Sequence, residues 1–323
     1  MNTNNSPASN IEIGLSATLL LIILLSFCLD TYAQDPVLPP NNFGLANIYD
    51  GVAGKPGFVY QNSTQVYETR NIYNDKGVKV PTDLKINSVL TMNQLIYLTP
   101  VKWLGGNLAF TVLIPIVKIS ATNESGPAPL ANPGVSGDII QGTAIQWSDR
   151  KLFGKPFFHR MELDVNIPVG SYSDKYAFNP SSHLWALSAY HAFTLIPSSK
   201  TSISMRNQFN YNFRVIGEKY RLGAYYNGNY SVEYAISPQF RIEAATFLLL
   251  QLGQDTYDGD KDYYQNNFGL STTEQHVLGY GPGVAYLGPD GLLIEGKILW
   301  ESWAQNTSAG IRPTLRVAIP LTR

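Results

Sequence analysis

The chain has 323 residues, of which 44% are hydrophobic and only 15% charged, with 27 glycines and 20 tyrosines. That length suffices for one large domain or two ordinary ones, and the glycine- and tyrosine-rich mixture favours strands and turns over helices. A formal net charge of −1 argues against the basic footprint of a nucleic-acid partner and against a polybasic membrane arm.

The first element expected is an export signal over residues 1–33. An apolar stretch at 17–29 is followed by Thr31-Tyr32-Ala33, a small-x-small site for cleavage after Ala33. The arm before it departs from the usual pattern, since it carries no Lys or Arg and contains Glu12. A lipoprotein signal at Leu25-Ser26-Phe27-Cys28 is disfavoured by the bulk of Phe27 before the cysteine. A retained anchor is disfavoured by the shortness of the apolar run. Cleavage removes Cys28, the single cysteine, so no disulfide is available to the remainder. Loss of Glu12 and Asp30 moves the formal charge from −1 to +1. No later run reaches 18 apolar residues, so no spanning helix is expected. An exported chain of this kind is periplasmic, secreted or a membrane barrel.

Residues 34–57 hold Pro36, Pro39, Pro40 and Pro56 and read as an irregular N-terminal segment. From residue 58 the chain breaks into two-faced blocks of period two, the mark of strands with unlike surroundings on each side. In 202–213, Ser202, Ser204, Arg206, Gln208, Asn210 and Asn212 oppose Ile203, Met205, Asn207, Phe209, Tyr211 and Phe213, a face apolar save for Asn207. In 158–167, Arg160, Glu162, Asp164 and Asn166 oppose Met161, Leu163 and Val165. Similar alternation runs through 222–235 and 292–302. Twelve blocks are expected, at 58–68, 82–98, 106–118, 137–150, 157–167, 185–196, 201–213, 222–235, 240–252, 274–287, 292–302 and 311–321. Many exceed the usual strand of about 5–6 residues in soluble sheets and match the roughly 9–11 that a tilted strand needs to cross a bilayer.

Connections alternate in length. Short turns are expected near 100–105, 151–156, 197–200, 237–239 and 288–291. Long loops are expected near 70–81, 120–136, 168–184, 214–221, 253–273 and 304–310. Short turns on one rim and long loops on the other is the outer-membrane barrel pattern, and an even strand count returns both ends to the short-turn rim. Trp103, Trp147, Trp185, Tyr286 and Trp300 near block ends suit interfacial girdles. The expected fold is therefore all-β, a transmembrane antiparallel β-barrel of about twelve strands over 58–323. A soluble sandwich also alternates and is the competing architecture. Closure follows because lipid cannot satisfy an open sheet edge. The apolar faces then meet lipid and the polar faces line the interior. The lumen-lining candidates are Arg160, Glu162, Asp164, Arg206, Glu233, Arg241, Glu243, Glu295, Lys297 and Glu301.

No catalytic constellation is expected. His159 and His191 share the apolar parity of their blocks, which places them at a membrane interface. Ser188, three residues from His191, has the opposite parity and faces away from it, against a Ser–His hydrolase pair. The acidic run Asp255-Thr256-Tyr257-Asp258-Gly259-Asp260-Lys261-Asp262 lacks an EF-hand pattern and reads as a solvated loop tip. Gly279-Tyr280-Gly281-Pro282-Gly283 is followed by no helix pattern, so it reads as a kinked strand with close backbone approach rather than a phosphate cradle. Neither cofactor nor metal is expected.

A family resemblance rests on several motifs in order: Gly134-Val135-Ser136-Gly137-Asp138, Gln146-Trp147, and Asp164-Val165-Asn166-Ile167-Pro168-Val169-Gly170-Ser171-Tyr172. It continues with Asn179, Trp185, Tyr190, Thr194, Tyr220-Arg221-Leu222-Gly223, Glu233-Tyr234, Gln251 with Asp255, and Gly279-Tyr280-Gly281-Pro282-Gly283-Val284. Over about 44–317 the chain resembles the phenol meta-pathway degradation family of SphA-type outer-membrane proteins. The resemblance implies a barrel associated with aromatic degradation and passage of substrate. The chain departs from bacterial barrels in ending Pro320-Leu321-Thr322-Arg323 instead of on an aromatic residue. The expected function is a passive outer-membrane channel for small hydrophobic or aromatic compounds. Its expected partners are those solutes, the outer-membrane lipids and the outer-membrane insertion machinery. The alternatives are a non-transporting barrel that scaffolds envelope partners and an outer-membrane lipid hydrolase.

Overall fold

In the computed structural model, residues 42–321 are described. The expected signal peptide lies outside them. The strands are β1 (Gly57–Tyr73), β2 (Lys79–Val80), β3 (Leu84–Trp103), β4 (Gly106–Asn123), β5 (Ile139–Leu152), β6 (Lys155–Ile167), β7 (Leu184–Leu195) and β8 (Thr201–Val215). They continue as β9 (Tyr220–Arg221), β10 (Tyr225–Ala235), β11 (Phe240–Gln251), β12 (Thr256–Tyr257), β13 (His276–Leu287), β14 (Leu293–Gln305) and β15 (Ser308–Pro320). One short helix, α1 (Tyr263–Phe268), lies in the loop before β13. No helix among the described residues is long and apolar enough to cross a membrane.

Twelve strands pair antiparallel with their chain neighbours, in the order β1, β3–β8, β10, β11 and β13–β15. β15 then returns to β1, with Val59 opposite Pro320 and Ile72 opposite Ser308, and the sheet closes. Closure leaves no edge, which is what lipid requires. All twelve expected blocks are strands of this barrel. β2 is an extra hairpin strand above β1, and β9 pairs with β12 in the loops.

The pleat shows which solvent each face was built for. Along β8, Ser202, Ser204, Asn210 and Asn212 are at most 2% exposed, whereas Phe209, Tyr211 and Phe213 are 44–56% exposed. Polar residues inside and large apolar residues outside reverse the order of a water-soluble sheet. The same inversion recurs on β6, where Glu162 is buried and Leu163 exposed. This overturns the soluble sandwich.

Leu104–Gly105 and Phe153–Gly154 have consecutive positive φ values of 50°, 75° and 52°, 74°. Those are the left-handed pairs of the tightest hairpin turns, and they join β3 to β4 and β5 to β6 on the short-turn rim. One long loop is absent. Where 304–310 was expected to be a loop, only Asn306 and Thr307 separate β14 from β15. Asn306 takes a φ of 49°, a conformation asparagine tolerates. The small polar residues around it, which read as a loop, continue the ladder instead. Gly279-Tyr280-Gly281-Pro282-Gly283 lies mid-strand in β13. A Cβ on Gly279 would enter the Phe247 ring and one on Gly281 would enter the Ile298 carbonyl. The close approach is real, and the β13–β14 ladder skips Gly281 and Pro282.

Candidate functional site

The lumen is filled from within the chain. Residues 42–53 form no strand, yet Leu45, Ala46, Asn47, Ile48 and Asp50 are all at most 7% exposed. An irregular backbone can be buried only if its polar groups find partners, and this one finds them around the wall. Asn229 Oδ1 accepts from Gly44 N at 2.9 Å, and Gln65 Nε2 donates to Phe43 O at 2.9 Å. Asn47 Nδ2 donates to the carbonyls of Tyr230 and Thr246 at 3.2 and 3.1 Å. Ser204 Oγ accepts from Tyr49 N, and Thr194 Oγ1 from Gly51 N. Gln146 Nε2 donates to Gly51 O at 2.9 Å, and Arg316 donates to Ile48 O at 3.1 Å. Partners on opposite sides of a closed barrel place the segment inside it.

Asp50 carries the segment's charge into this lumen. Arg206 grips it by two bonds, Nε–Oδ2 at 2.6 Å and Nη2–Oδ1 at 2.8 Å, and Arg160 stands at 3.7 Å. Gly51 permits the tight seating, because a Cβ there would fall inside the main chain of Phe193 and Thr194.

The ten charged candidates all lie on barrel strands with buried or nearly buried side chains, and they gather into groups. Arg160 pairs with Glu162 at 3.0 Å, and Tyr190 donates its hydroxyl to Glu162. Asp164 lies beside Glu162, with Gly142 leaving room for both carboxylates. Lys297 bridges Glu295 at 2.5 Å and Asn47 of the inner segment at 2.6 Å. Arg316 reaches Glu295 at 3.0 Å. Glu301 pairs with Arg312 at 2.5 Å. Arg241 lies over the Tyr49 ring at 5.2 Å and donates to Ser202. Glu233 accepts from Ser231. Glu243 carboxylate oxygens have no hydrogen-bond partner among the described residues, and Gly283 gives them space. The arginines Arg312 and Arg316 share this interior, although the alternation read in sequence did not single them out.

The expectation that polar faces line the whole interior needs correction. Towards the long-loop rim, the inner positions of β7, β10, β11, β13 and β14 turn apolar. Leu184, Tyr225, Phe247, Leu249, Val277 and Leu299 form one buried cluster, with Phe43 of the inner segment packed against it. Phe43 meets Phe247 edge-on at 5.5 Å. The signal was present on β11, whose inner residues run Arg241, Glu243, Ala245, Phe247, Leu249 from charged to apolar.

Two buried aspartates fix the loops above. Asp138 accepts from Gly170 N, Ser182 N and the hydroxyls of Ser181 and Ser182 at 2.5–3.1 Å. Asp255 accepts from Tyr220 Oη, Gly223 N and Gln251 Nε2 at 2.7–2.8 Å. The acidic run is therefore a solvated tip only at Asp258, Asp260 and Asp262, which are exposed, while Asp255 is fully buried. These anchors explain the scattered motifs. Asp138, Gly170, Tyr220, Gly223, Gln251 and Asp255 tie loops, and Gln146 holds the inner segment.

Ser188 and His191 face opposite ways. Ser188 bonds Asn210 inside the barrel, whereas His191 lies on the outer face beside His159. The hydrolase pair is not assembled.

A closed twelve-stranded barrel with an apolar outer belt and a polar interior defines an outer-membrane β-barrel. The chain belongs to the family described as "Putative MetA-pathway of phenol degradation", whose model matches residues 69–317. Among solved structures, the COG4313 outer membrane channel from Pseudomonas putida F1 is similar, with a TM-score of 0.70 at 12% identity, over 85% of this chain and 99% of that one. The CymD monoaromatic hydrocarbon channel gives a TM-score of 0.42 at 8% identity, over 84% of this chain and 90% of that one. The first of these likenesses shows a shared fold. No curated protein sequence matches this chain.

Proposed function

We propose that the protein is a passive outer-membrane channel for small hydrophobic or aromatic compounds, stoppered at rest by its own residues 42–53. The observation that carries this reading is the buried apolar cluster around Tyr225, Phe247 and Leu299, which ends on Phe43. An aromatic solute on such an apolar wall gains about 25 cal/mol per Å² of apolar surface removed from water. Membership of a family named for phenol degradation agrees with that solute class.

In this reading the ten charged residues line the lumen wall, and three of them hold the stopper, Arg206 and Arg160 through Asp50 and Lys297 through Asn47. Displacement of 42–53 lifts Phe43 from the Tyr225–Phe247–Leu299 cluster, bares that apolar wall to a solute entering at the loops, and opens the way to the periplasmic side. The mechanism needs no covalent step and no cofactor. Outer-membrane lipids pack the outer belt, and the barrel insertion machinery delivers the chain.

The filled lumen favours a second reading, a non-transporting barrel whose loops engage envelope partners. Uptake separates the two. Cells expressing the protein take up a fluorescent aromatic probe, 1-N-phenylnaphthylamine, faster than cells lacking it if it is a channel, and at the same rate if it is a scaffold.

A further inference from the structure

Two imidazoles and a thioether stand together on the outer wall, apart from the lumen. His159 and Met161 are two residues apart on β6, so both point to the same face. His191 on β7 lies directly across from Met161 in the ladder, and directly opposed side chains start about 5 Å apart. Met161 is 57% exposed. His191 Nε2 and His159 Nδ1 are 3.4 Å apart.

We propose that His159, His191 and Met161 form a binding site for a soft monovalent cation, copper(I), at the short-turn interface of the barrel. A metal about 2.0–2.1 Å from each imidazole nitrogen would see the 3.4 Å gap at an angle of about 110°. That is the opening a tetrahedral or trigonal centre uses. The unbranched, flexible Met161 side chain supplies a soft third ligand across the ladder.

The ligand chemistry selects the ion. All three donors are neutral, and thioether with imidazole suits copper(I) rather than the hard cations that carboxylates hold. Among the described residues no His, Cys, Asp or Glu joins the two imidazoles to make a metal-holding group of three, which leaves the thioether as the third donor. A single charge is also the least costly to hold beside lipid. The donors are held in place from behind. Trp147 stacks on His159 at 4.5 Å and 8°, and Phe157 lies 5.0 Å from the same ring. Phe193 lies 5.9 Å from the His191 ring. Arg150, on β5 near Trp147, directs its Nη2 to the Gly105 carbonyl.

The test uses the full chain, folded in detergent, stripped with a chelator, and carrying Cys28→Ser so that its one thiol does not compete. Copper(I) is offered anaerobically in competition with bicinchoninate, whose coloured complex reports the copper the protein has not taken. The proposal expects one equivalent taken by the protein. His159→Phe and His191→Asn each weaken binding at least tenfold. Met161→Leu weakens copper(I) binding by a similar factor, without changing the heat-modifiable migration of the folded barrel. No uptake by the protein, or uptake unchanged in the His159→Phe/His191→Asn double variant, overturns it.

Discussion

Arg206 on β8 and Asp50 in the inner segment are 156 residues apart in the chain and meet side by side, at 2.6 and 2.8 Å. Both side chains are almost excluded from solvent, 12% and 6% exposed. Such a paired, planar contact fixes orientation as well as distance. The Arg206 guanidinium also lies 4.2 Å from the Tyr190 ring, so the stopper, β7 and β8 are joined at one point.

Removing one partner of a buried pair leaves the other charge uncompensated, at a cost of about 3–5 kcal/mol. Asp50→Ala is therefore expected to undock residues 42–53. Planar-bilayer recordings should show higher and noisier conductance than wild type, and protease added to the purified barrel should cut within 42–56 while the strands stay intact.

Gly51→Val tests the same docking by shape. A side chain at this position has no room against the Phe193–Thr194 backbone, and overpacking of this kind costs about 1–3 kcal/mol. The variant should reproduce the conductance of Asp50→Ala with all charges in place. Gly54→Ala, where a Cβ meets nothing, should behave as wild type in the same recordings.

The apolar half of the lumen predicts selectivity. Phe247→Asp places a charge in the cluster where Phe43 rests. Uptake of the aromatic probe should fall about tenfold, the effect of about 1.4 kcal/mol, while small-ion conductance stays the same or rises. Equal losses of both would show that the barrel had merely misfolded, which heat-modifiable migration checks.

Much of this architecture was legible in the residues before any coordinates. Twelve strands were readable because lipid and lumen impose opposite chemistry on alternate positions, as Ser204 against Met205 and Glu162 against Leu163 show. The hairpin at Asn306 is hidden in the sequence because its flanking Ser308 and Gly310 have loop-like composition yet pair with Ile72 and Thr69 of β1 across a bulge at Arg70. The stopper left no local signal at all. Its burial depends on contacts such as Asn47 with Lys297 and Asp50 with Arg206, which no period or spacing encodes. The buried role of Asp255 was hidden for the same reason, since its partners Tyr220 and Gly223 come from a different loop.

The long-loop rim carries a pH-dependent tie. Asp75 accepts both the backbone N–H and the hydroxyl of Ser271 at 2.7 Å, joining the loop after β1 to the loop before β13. The Ser271 N–H, then its hydroxyl, hold the Asp75 carboxyl below its ordinary value of 3.8. A lowered carboxyl pKa stabilises the tied state above the unbound value and loses that effect as pH falls through the lowered one. The two loops should stay together from neutral pH down to about 4 and separate in stronger acid. Spin-label distances between them would show it, and Asp75→Asn should weaken the tie already at pH 7.

A stoppered channel for apolar solutes governs probe entry into living cells. Uptake of 1-N-phenylnaphthylamine would be followed in an expressing strain, in the same strain lacking the protein, and in one carrying Asp50→Ala. Entry should be faster with the wild-type protein than without it, and faster still with Asp50→Ala. Equal rates in all three strains, with the barrel folded in the outer membrane, would contradict it.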